Sequence, residues 1–165
     1  GRVPLDVHLM IHEPSGLVPE LVDAGADLLV VHAEACEDLA GTVSTVKGRG
    51  AKVGVAIRPD SSVDVLLPLL GDIDLALVMS VNPGWSAQKY MAEVEGKVGA
   101  LRRLIDERSL ATELEMDGGI DEETAPRASS AGADVLVAGS AVFGRSAPVA
   151  ERIVAIRRAA RPVES

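Results

Sequence analysis

Short runs of apolar residues, each bounded by turn-forming residues, recur along the chain. Their starts lie about 22 to 25 residues apart, with one longer gap between the fourth and the fifth run. This spacing is too wide for β-hairpins and is typical of strand–helix–strand crossovers. The pattern therefore predicts parallel strands in an α/β fold, at residues 5–9, 28–32, 53–57, 75–79, 113–116 and 135–138.

The segments between these runs carry helical patterns. Two of the segments lead to Gly25 and Gly132, which are glycines of the kind that ends a helix. Two others place apolar side chains on one helical face. The pattern predicts helices at residues 19–24, 92–108, 122–131 and 148–160.

The motif Ala-Gly-Ala-Asp followed by an apolar run occurs twice, at residues 24–27 and 131–134. A repeated unit of this kind predicts a barrel or an open doubly wound sheet, here as one partial barrel domain over residues 1–165. Six such units are two fewer than a closed eight-stranded barrel needs. We therefore expect either that about 50 residues precede this sequence or that another chain completes the sheet. Open sheet edges also favour self-association into a homo-oligomer.

Composition restricts the class of partner and the compartment. The chain is 47% hydrophobic but only 2% aromatic, so its core must be aliphatic, as in buried parallel strands. The net charge of −9 argues against nucleic acid and anionic membranes as partners. No apolar stretch approaches about 18 residues, so no membrane span is expected. The single Cys36 and the lack of a visible signal peptide favour a reducing, cytoplasmic location.

The residues most typical of a functional site follow the last two apolar runs. Asp117 precedes Gly118 and Gly119, so a carboxylate ends the strand beside backbone that a ligand can approach closely. Gly139 and Ser140 follow the next run, ahead of a short helical stretch, where an anion can bind. An acid/base group beside a phosphate site on consecutive strands is typical of barrel enzymes that act on sugar phosphates.

Histidines lie at the same predicted edge of the sheet. His8 follows the first strand and could share a divalent ion with Asp117, whereas His8 alone would be explained by a structural, half-buried role. His32 and Glu34 follow the second strand, and we expect them to make structural hydrogen bonds.

Two methionines and a loop complete this edge. Met10 and Met79 end strands, and core packing explains both, although both would face the mouth of a barrel. The polar loop at residues 82–88 contains a Pro-Gly turn and Trp85. It is typical either of an active-site lid or of an ordinary surface turn.

Together these motifs resemble ribulose-phosphate 3-epimerases, metal-dependent TIM-barrel enzymes of the pentose phosphate pathway and the Calvin cycle. The resemblance covers essentially the whole chain and implies a TIM (β/α)8 barrel, of which about six of the eight βα units are present. The matching segments are LDVHLMI at 5–11, AGAD and VHAEA within 24–35, VMSVNPG at 78–84, EMDGGI at 115–120 and AGADVLVAGSAVFG at 131–144.

The resemblance also implies a role for each matching residue. His8 would lie at the substrate site as a metal ligand, and Asp117 would both bind the ion and transfer a proton. One divalent ion is implied, and Zn, Fe, Mn and Co are not distinguished. Met10 and Met79 would pack near the reacting centre. The substrate and its phosphate would be bound by Gly84, Trp85, Ser86, Ala87, Gly118, Gly119, Gly139 and Ser140.

The reaction implied by the resemblance is two-base epimerisation of a phosphorylated ketose, D-ribulose 5-phosphate, to D-xylulose 5-phosphate. One aspartate removes the C3 proton, the ion stabilises the enediolate, and a second aspartate protonates the opposite face. The family's opening strands, which carry a serine, another histidine ligand and the partner aspartate, have no counterpart in this sequence. We therefore expect the 165-residue polypeptide alone not to be a competent epimerase.

The predicted loop departs from the family's usual Asn-Pro-Gly-Phe-Gly-Gly-Gln. Trp85 replaces Phe, and Ser86 and Ala87 replace two glycines. Residues with a Cβ are disfavoured at positive φ, so we predict a weaker substrate affinity than the glycine-containing loop gives. Restoring both glycines, with Ser86→Gly and Ala87→Gly, should lower KM in a steady-state assay. An unchanged KM would contradict the prediction.

Other functions stay open at this point. A 3-epimerase of a hexulose phosphate would use the same motifs, because a few loop contacts determine the length of the sugar. A decarboxylase-like relative is disfavoured, since its Asp-x-Lys-x-x-Asp cluster is missing from the sequence. A non-catalytic, phosphate-binding barrel remnant is the third possibility, and the number of metal ions bound per chain distinguishes it from an enzyme.

Overall fold

A computed structural model describes residues 2–84, 88–144 and 147–161 of the chain. Within these residues, six parallel strands form one sheet in the order of the sequence. Each predicted strand is confirmed, with bounds that differ by one residue at most. The strands are β1 (Asp6–Leu9), β2 (Leu28–His32), β3 (Lys52–Ile57), β4 (Leu75–Met79), β5 (Glu113–Asp117) and β6 (Val135–Val137).

Helices pack against one face of this sheet. They are α1 (Val18–Asp23), α2 (Leu39–Gly48), α3 (Glu95–Glu107), α4 (Ala125–Ala131), α5 (Ser140–Phe143) and α6 (Val149–Ala159). The predicted helix at 122–131 begins later, because Asp121 accepts hydrogen bonds from the backbone of Glu123 and Thr124 and so forms a turn ahead of Pro126. In the described ranges, none of the helices is long and apolar enough to cross a membrane.

Helix α2 is an element that the sequence analysis did not predict. Its first turn is capped by the carboxylate of Asp38, which accepts a hydrogen bond of 2.9 Å from the N–H of Gly41. Val43 and Val46, on the side of the helix that faces the sheet, are buried. Because small and polar residues fill most of the helix, its apolar face is narrow and its periodicity is weak.

Alternating side chains of the strands form two separate apolar layers. Because successive residues of a strand point to opposite faces, β2, β3 and β4 contribute to both layers. The outer layer packs against the helices and includes Leu29, Val31, Val55, Val78 and Met116. The inner layer consists of Val30, Ala56, Leu75, Leu77, Met79 and Val81. Burial on both faces explains why β2, β3 and β4 appear as nearly continuous apolar runs in the sequence, whereas β1 and β5 carry polar or charged residues at alternate positions.

The sheet is strongly curved. Neighbouring strands lie about 4.8 Å apart, so β1 and β5 would be roughly 19 Å apart in a flat sheet. Instead, Nδ1 of His8 in β1 lies 3.7 Å from Oδ2 of Asp117 in β5. The inner face is therefore concave, and the carboxyl ends of the strands surround one site.

Candidate active site

A cavity of about 300 Å³ opens at the carboxyl ends of the strands. Its walls come from the ends of β4, β5 and β6 and from the segment that follows β1. Parallel strands end at the same edge of a barrel, which is why residues distant in sequence meet here. The predicted site residues that line it are Met10, Met79, Gly84, Asp117, Gly118, Gly119, Gly139 and Ser140.

The two methionines differ in their surroundings. Met79 belongs to the inner apolar layer and is buried, whereas 48% of Met10 is exposed at the mouth. Core packing therefore explains Met79. It does not explain Met10, whose side chain lies at the open mouth of the cavity.

The loop after β4 is only partly described. Trp85, Ser86 and Ala87, which the sequence analysis places at the substrate, lie outside the described residues. Nε2 of Gln88 donates a hydrogen bond of 2.5 Å to the carbonyl oxygen of Asn82. This bond joins the two described ends of the loop beside the cavity.

His8 lies next to Asp117, as the sequence analysis predicts. The 3.7 Å between Nδ1 of His8 and Oδ2 of Asp117 is too long for a hydrogen bond. Nε2 of His8 lies 2.9 Å from Nε2 of His32, and the two rings lie side by side, with their planes inclined by 21° and their centroids 4.9 Å apart. The structural hydrogen bonding expected of His32 is thus confirmed, and its partner is His8.

Glu34 continues this line of polar groups. Oε2 of Glu34 lies 3.5 Å from Nδ1 of His32, and Oε1 accepts hydrogen bonds from the Arg58 N–H, at 2.8 Å, and the Ser61 hydroxyl. Partial burial acts to raise the pKa of Glu34, but His32 and these hydrogen bonds lower it to about 2. Glu34 is therefore ionised at neutral pH.

A buried carboxyl group that the sequence analysis did not predict lies two residues before Asp117 on β5. Glu115 shares the inner face of β5 with Asp117, and only 4% of it is exposed. Burial, reinforced by the charges of Asp6, Asp117 and Glu113, raises its pKa to about 8. The period of two along β5 was a signal that could have located this group.

Gly118 and Gly119 form a sharp turn after β5. Their φ angles are 125° and 64°, in the region that favours glycine. A Cβ on Gly118 would lie 2.6 Å from Cγ2 of Val81, and a Cβ on Gly119 would lie 2.7 Å from the backbone nitrogen of Tyr90. The hydroxyl of Ser80 donates to the carbonyl oxygen of Gly118 at 2.6 Å and ties the turn to β4. Backbone conformation and space both require glycine at these positions.

His8 and Asp117 are suitable as two ligands of one divalent ion. Their 3.7 Å separation is compatible with an ion between them at bond lengths of about 2.0–2.2 Å. Imidazole nitrogen and carboxylate oxygen are donors that first-row divalent ions accept. Within the described residues, no group of three or more His, Cys, Asp or Glu side chains gathers around a metal-sized site. His8 and Asp117 would therefore supply two of the ligands of a divalent ion.

Comparison with known proteins identifies the family. The sequence model of the Ribulose-phosphate 3 epimerase family matches residues 1–143. This chain belongs to that family. It is 48% identical over 145 residues to the ribulose-phosphate 3-epimerase of Bacillus subtilis (strain 168), covering 87% of this chain and 67% of that protein.

A second relative agrees with the first. The ribulose-phosphate 3-epimerase of Mycobacterium tuberculosis (strain ATCC 25618 / H37Rv) is 40% identical over 158 residues, with 96% of this chain and 69% of that protein covered. The chain thus spans about two thirds of the length of these relatives. The predicted family is confirmed, and both relatives are named for an isomerase activity.

A solved structure supports the predicted fold. 3-Hexulose-6-phosphate synthase from Salmonella typhimurium superimposes with a TM-score of 0.72, covering 95% of this chain and 72% of that chain. At 19% sequence identity, this likeness concerns the fold alone. It confirms the predicted TIM-barrel architecture, of which the described residues contain six parallel strands.

Proposed function

We propose that the protein containing these residues is a ribulose-phosphate 3-epimerase, an isomerase that interconverts D-ribulose 5-phosphate and D-xylulose 5-phosphate. The observation that carries this proposal is the convergence of Asp117, its glycine turn and Gly139–Ser140 on one cavity, in a chain of this family. The substrate is a phosphorylated ketose, handled within carbohydrate metabolism. The single Cys36 is in line with a cytoplasmic location.

Asp117 is the residue proposed to move the proton at C3. Its carboxylate lines the cavity and is 22% exposed, so a substrate in the cavity can reach it. Epimerisation needs a second acid on the opposite face, because a single base would return the proton to the side from which it came. By the family resemblance, that second aspartate belongs to the family's opening strands.

The phosphate is proposed to bind at the backbone of Gly118, Gly119, Gly139 and Ser140. Glycines at the cavity wall allow backbone N–H groups to approach a phosphate closely. The net charge of −9 means that overall attraction does not bring an anion to this protein, so local N–H groups must hold it. Substrate contacts on the other side of the cavity are proposed for Gly84, Trp85, Ser86 and Ala87, with Met10 and Met79 near the reacting carbons.

One divalent ion is proposed to bind between His8 and Asp117. The family is generally metal-dependent, and Zn, Fe, Mn and Co all suit these donors. When bound, the ion would supply Lewis-acid stabilisation of the negative charge that develops on the substrate oxygens. His8 then serves to hold the ion beside the carboxylate that moves the proton.

The remaining proposals concern assembly. We infer that residues 1–165 belong to a single TIM-barrel domain. Within the described residues, β1 and β6 each pair with one neighbour, which leaves a free backbone edge on each. Such edges are stable when further strands or a second copy pair with them, so a homo-oligomer is one way to satisfy them.

A substrate comparison tests the proposed function. The native protein should turn over D-ribulose 5-phosphate with a kcat/KM at least about 10-fold above that for a hexulose phosphate such as D-allulose 6-phosphate. A preference for the hexulose phosphate would establish the alternative epimerase. Phosphate binding without turnover of either sugar would establish the non-catalytic alternative.

A further inference from the structure

Two buried or half-buried polar residues line up behind His8, and the proposed reaction gives them no role. From the site outwards, the order is Asp117, His8, His32 and Glu34, with separations of 3.7, 2.9 and 3.5 Å. Only 3% of His32 is exposed. Neither His32 nor Glu34 is among the residues that line the cavity. A buried imidazole of this kind requires partners for its ring nitrogens.

The contact between the two histidines makes the tautomer of His32 depend on the tautomer of His8. A neutral imidazole has one donor nitrogen and one acceptor nitrogen. A ring that binds a metal through Nδ1 carries its proton on Nε2, and Nδ1 is the nitrogen of His8 that faces Asp117. The Nε2–H of His8 then donates to Nε2 of His32 across 2.9 Å. His32 must accept at Nε2 and therefore carries its own proton on Nδ1.

Glu34 is placed to hold that last proton. Nδ1 of His32 is buried and forms no hydrogen bond within the part of the chain that the structure describes. It faces Oε2 of Glu34 at 3.5 Å. The other oxygen of Glu34 is fixed by the Arg58 N–H and the Ser61 hydroxyl. A carboxylate held in this way favours the Nδ1–H form of its neighbour.

We propose that His32 and Glu34 form a positioning pair that fixes the orientation and the tautomer of His8 as a metal ligand. The inference rests on the metal site of the proposed function. Both members act through His8, so they are positioning residues. Partners of metal ligands at this distance typically change metal affinity by about 10- to 100-fold when they are lost.

Two substitutions of His32 separate ring packing from hydrogen bonding. His32→Phe keeps a planar ring beside His8 but removes the acceptor, whereas His32→Gln keeps a side-chain acceptor. The Kd for Co²⁺ is measured on the native protein by competition with a chelator, together with the Co²⁺ absorption spectrum. We expect His32→Phe to weaken binding by about 10- to 100-fold and to alter the spectrum. His32→Gln should restore most of the affinity.

Further variants provide a second measurement and a control. Glu34→Gln keeps an oxygen for Arg58 and Ser61 but loses the charge that faces His32, so its affinity should fall between those of the parent and His32→Phe. His12 is exposed, and His12→Gln should bind Co²⁺ as the parent does. Thermal melting of each metal-free variant verifies that it is folded, and if His32→Phe does not fold, Glu34→Gln decides the proposal.

The possible outcomes separate this proposal from the proposed function. Parent-like Co²⁺ affinity and spectrum in His32→Phe and Glu34→Gln would overturn the positioning pair, and so would a native protein that binds no divalent ion. Turnover of D-ribulose 5-phosphate in the same sample tests the epimerase independently. Weakened Co²⁺ binding in the variants of a protein without turnover would support the pair and overturn the epimerase.

Discussion

Replacing Asp117 by asparagine is expected to lower kcat for D-ribulose 5-phosphate by about 10²–10⁴-fold. An amide of the same shape cannot take up or return the C3 proton. It is also a poorer metal ligand than a carboxylate, so the assay is run at saturating metal. Steady-state kinetics of the native protein and its Asp117→Asn variant measure the effect.

A matched control lies on the same strand. Glu113 is at the opposite end of β5, on the same inner face as Asp117, and is exposed. Glu113→Gln should leave kcat within about two-fold of the parent, as exposed substitutions usually do. If Asp117→Asn kept more than about a tenth of the parent activity, Asp117 would not be the proton-transfer residue.

Replacing Gly119 by alanine is expected to raise KM and to lower the free energy of unfolding by about 1–3 kcal/mol. The residue has a φ of 64°, and its added Cβ would lie 2.7 Å from the backbone nitrogen of Tyr90. Relief of this clash must move the turn that is proposed to bind phosphate. Denaturant unfolding and the KM for D-ribulose 5-phosphate measure the two effects.

Gly50 provides the control for backbone strain alone. It has a φ of 83°, an added Cβ would meet nothing within 4 Å, and it precedes β3 at the opposite edge of the sheet. Gly50→Ala should cost about 1 kcal/mol of stability and leave KM unchanged. Equal changes in KM for both variants would show that the Gly119 turn has no special relation to the substrate.

The strands were predictable because each contains apolar residues between turn-forming residues, and the predicted bounds agree with β1 to β6 to within one residue. Burial on both faces makes β2, β3 and β4 nearly continuous apolar runs, whereas β1 and β5 alternate apolar with polar or charged residues. Helix α2 was missed because Val43 and Val46 are the main apolar residues on its buried side. Helices on a barrel's outer surface bury one narrow face, and their periodicity is correspondingly weaker.

The sequence predicts those site residues that lie at the carboxyl ends of strands. The sequence places Asp117, Gly118 and Gly139 at the carboxyl ends of neighbouring strands, and all three line the cavity. The contact between His8 and His32 depends on how the sheet curls and on two side-chain orientations, which local patterns do not specify. The two-residue spacing of Glu115 to Asp117 could have placed both on the same face of β5, but it does not predict burial, since Glu113 lies on that face and is exposed.

The central claim is tested most directly by following the hydrogen at C3. The native protein is incubated with D-ribulose 5-phosphate in D₂O, and the sugars are examined by NMR. The proposed proton transfer at Asp117 predicts D-xylulose 5-phosphate that carries deuterium at C3, and none from the Asp117→Asn variant over the same time. No epimerised product, or a product that retains its original C3 hydrogen, would contradict it.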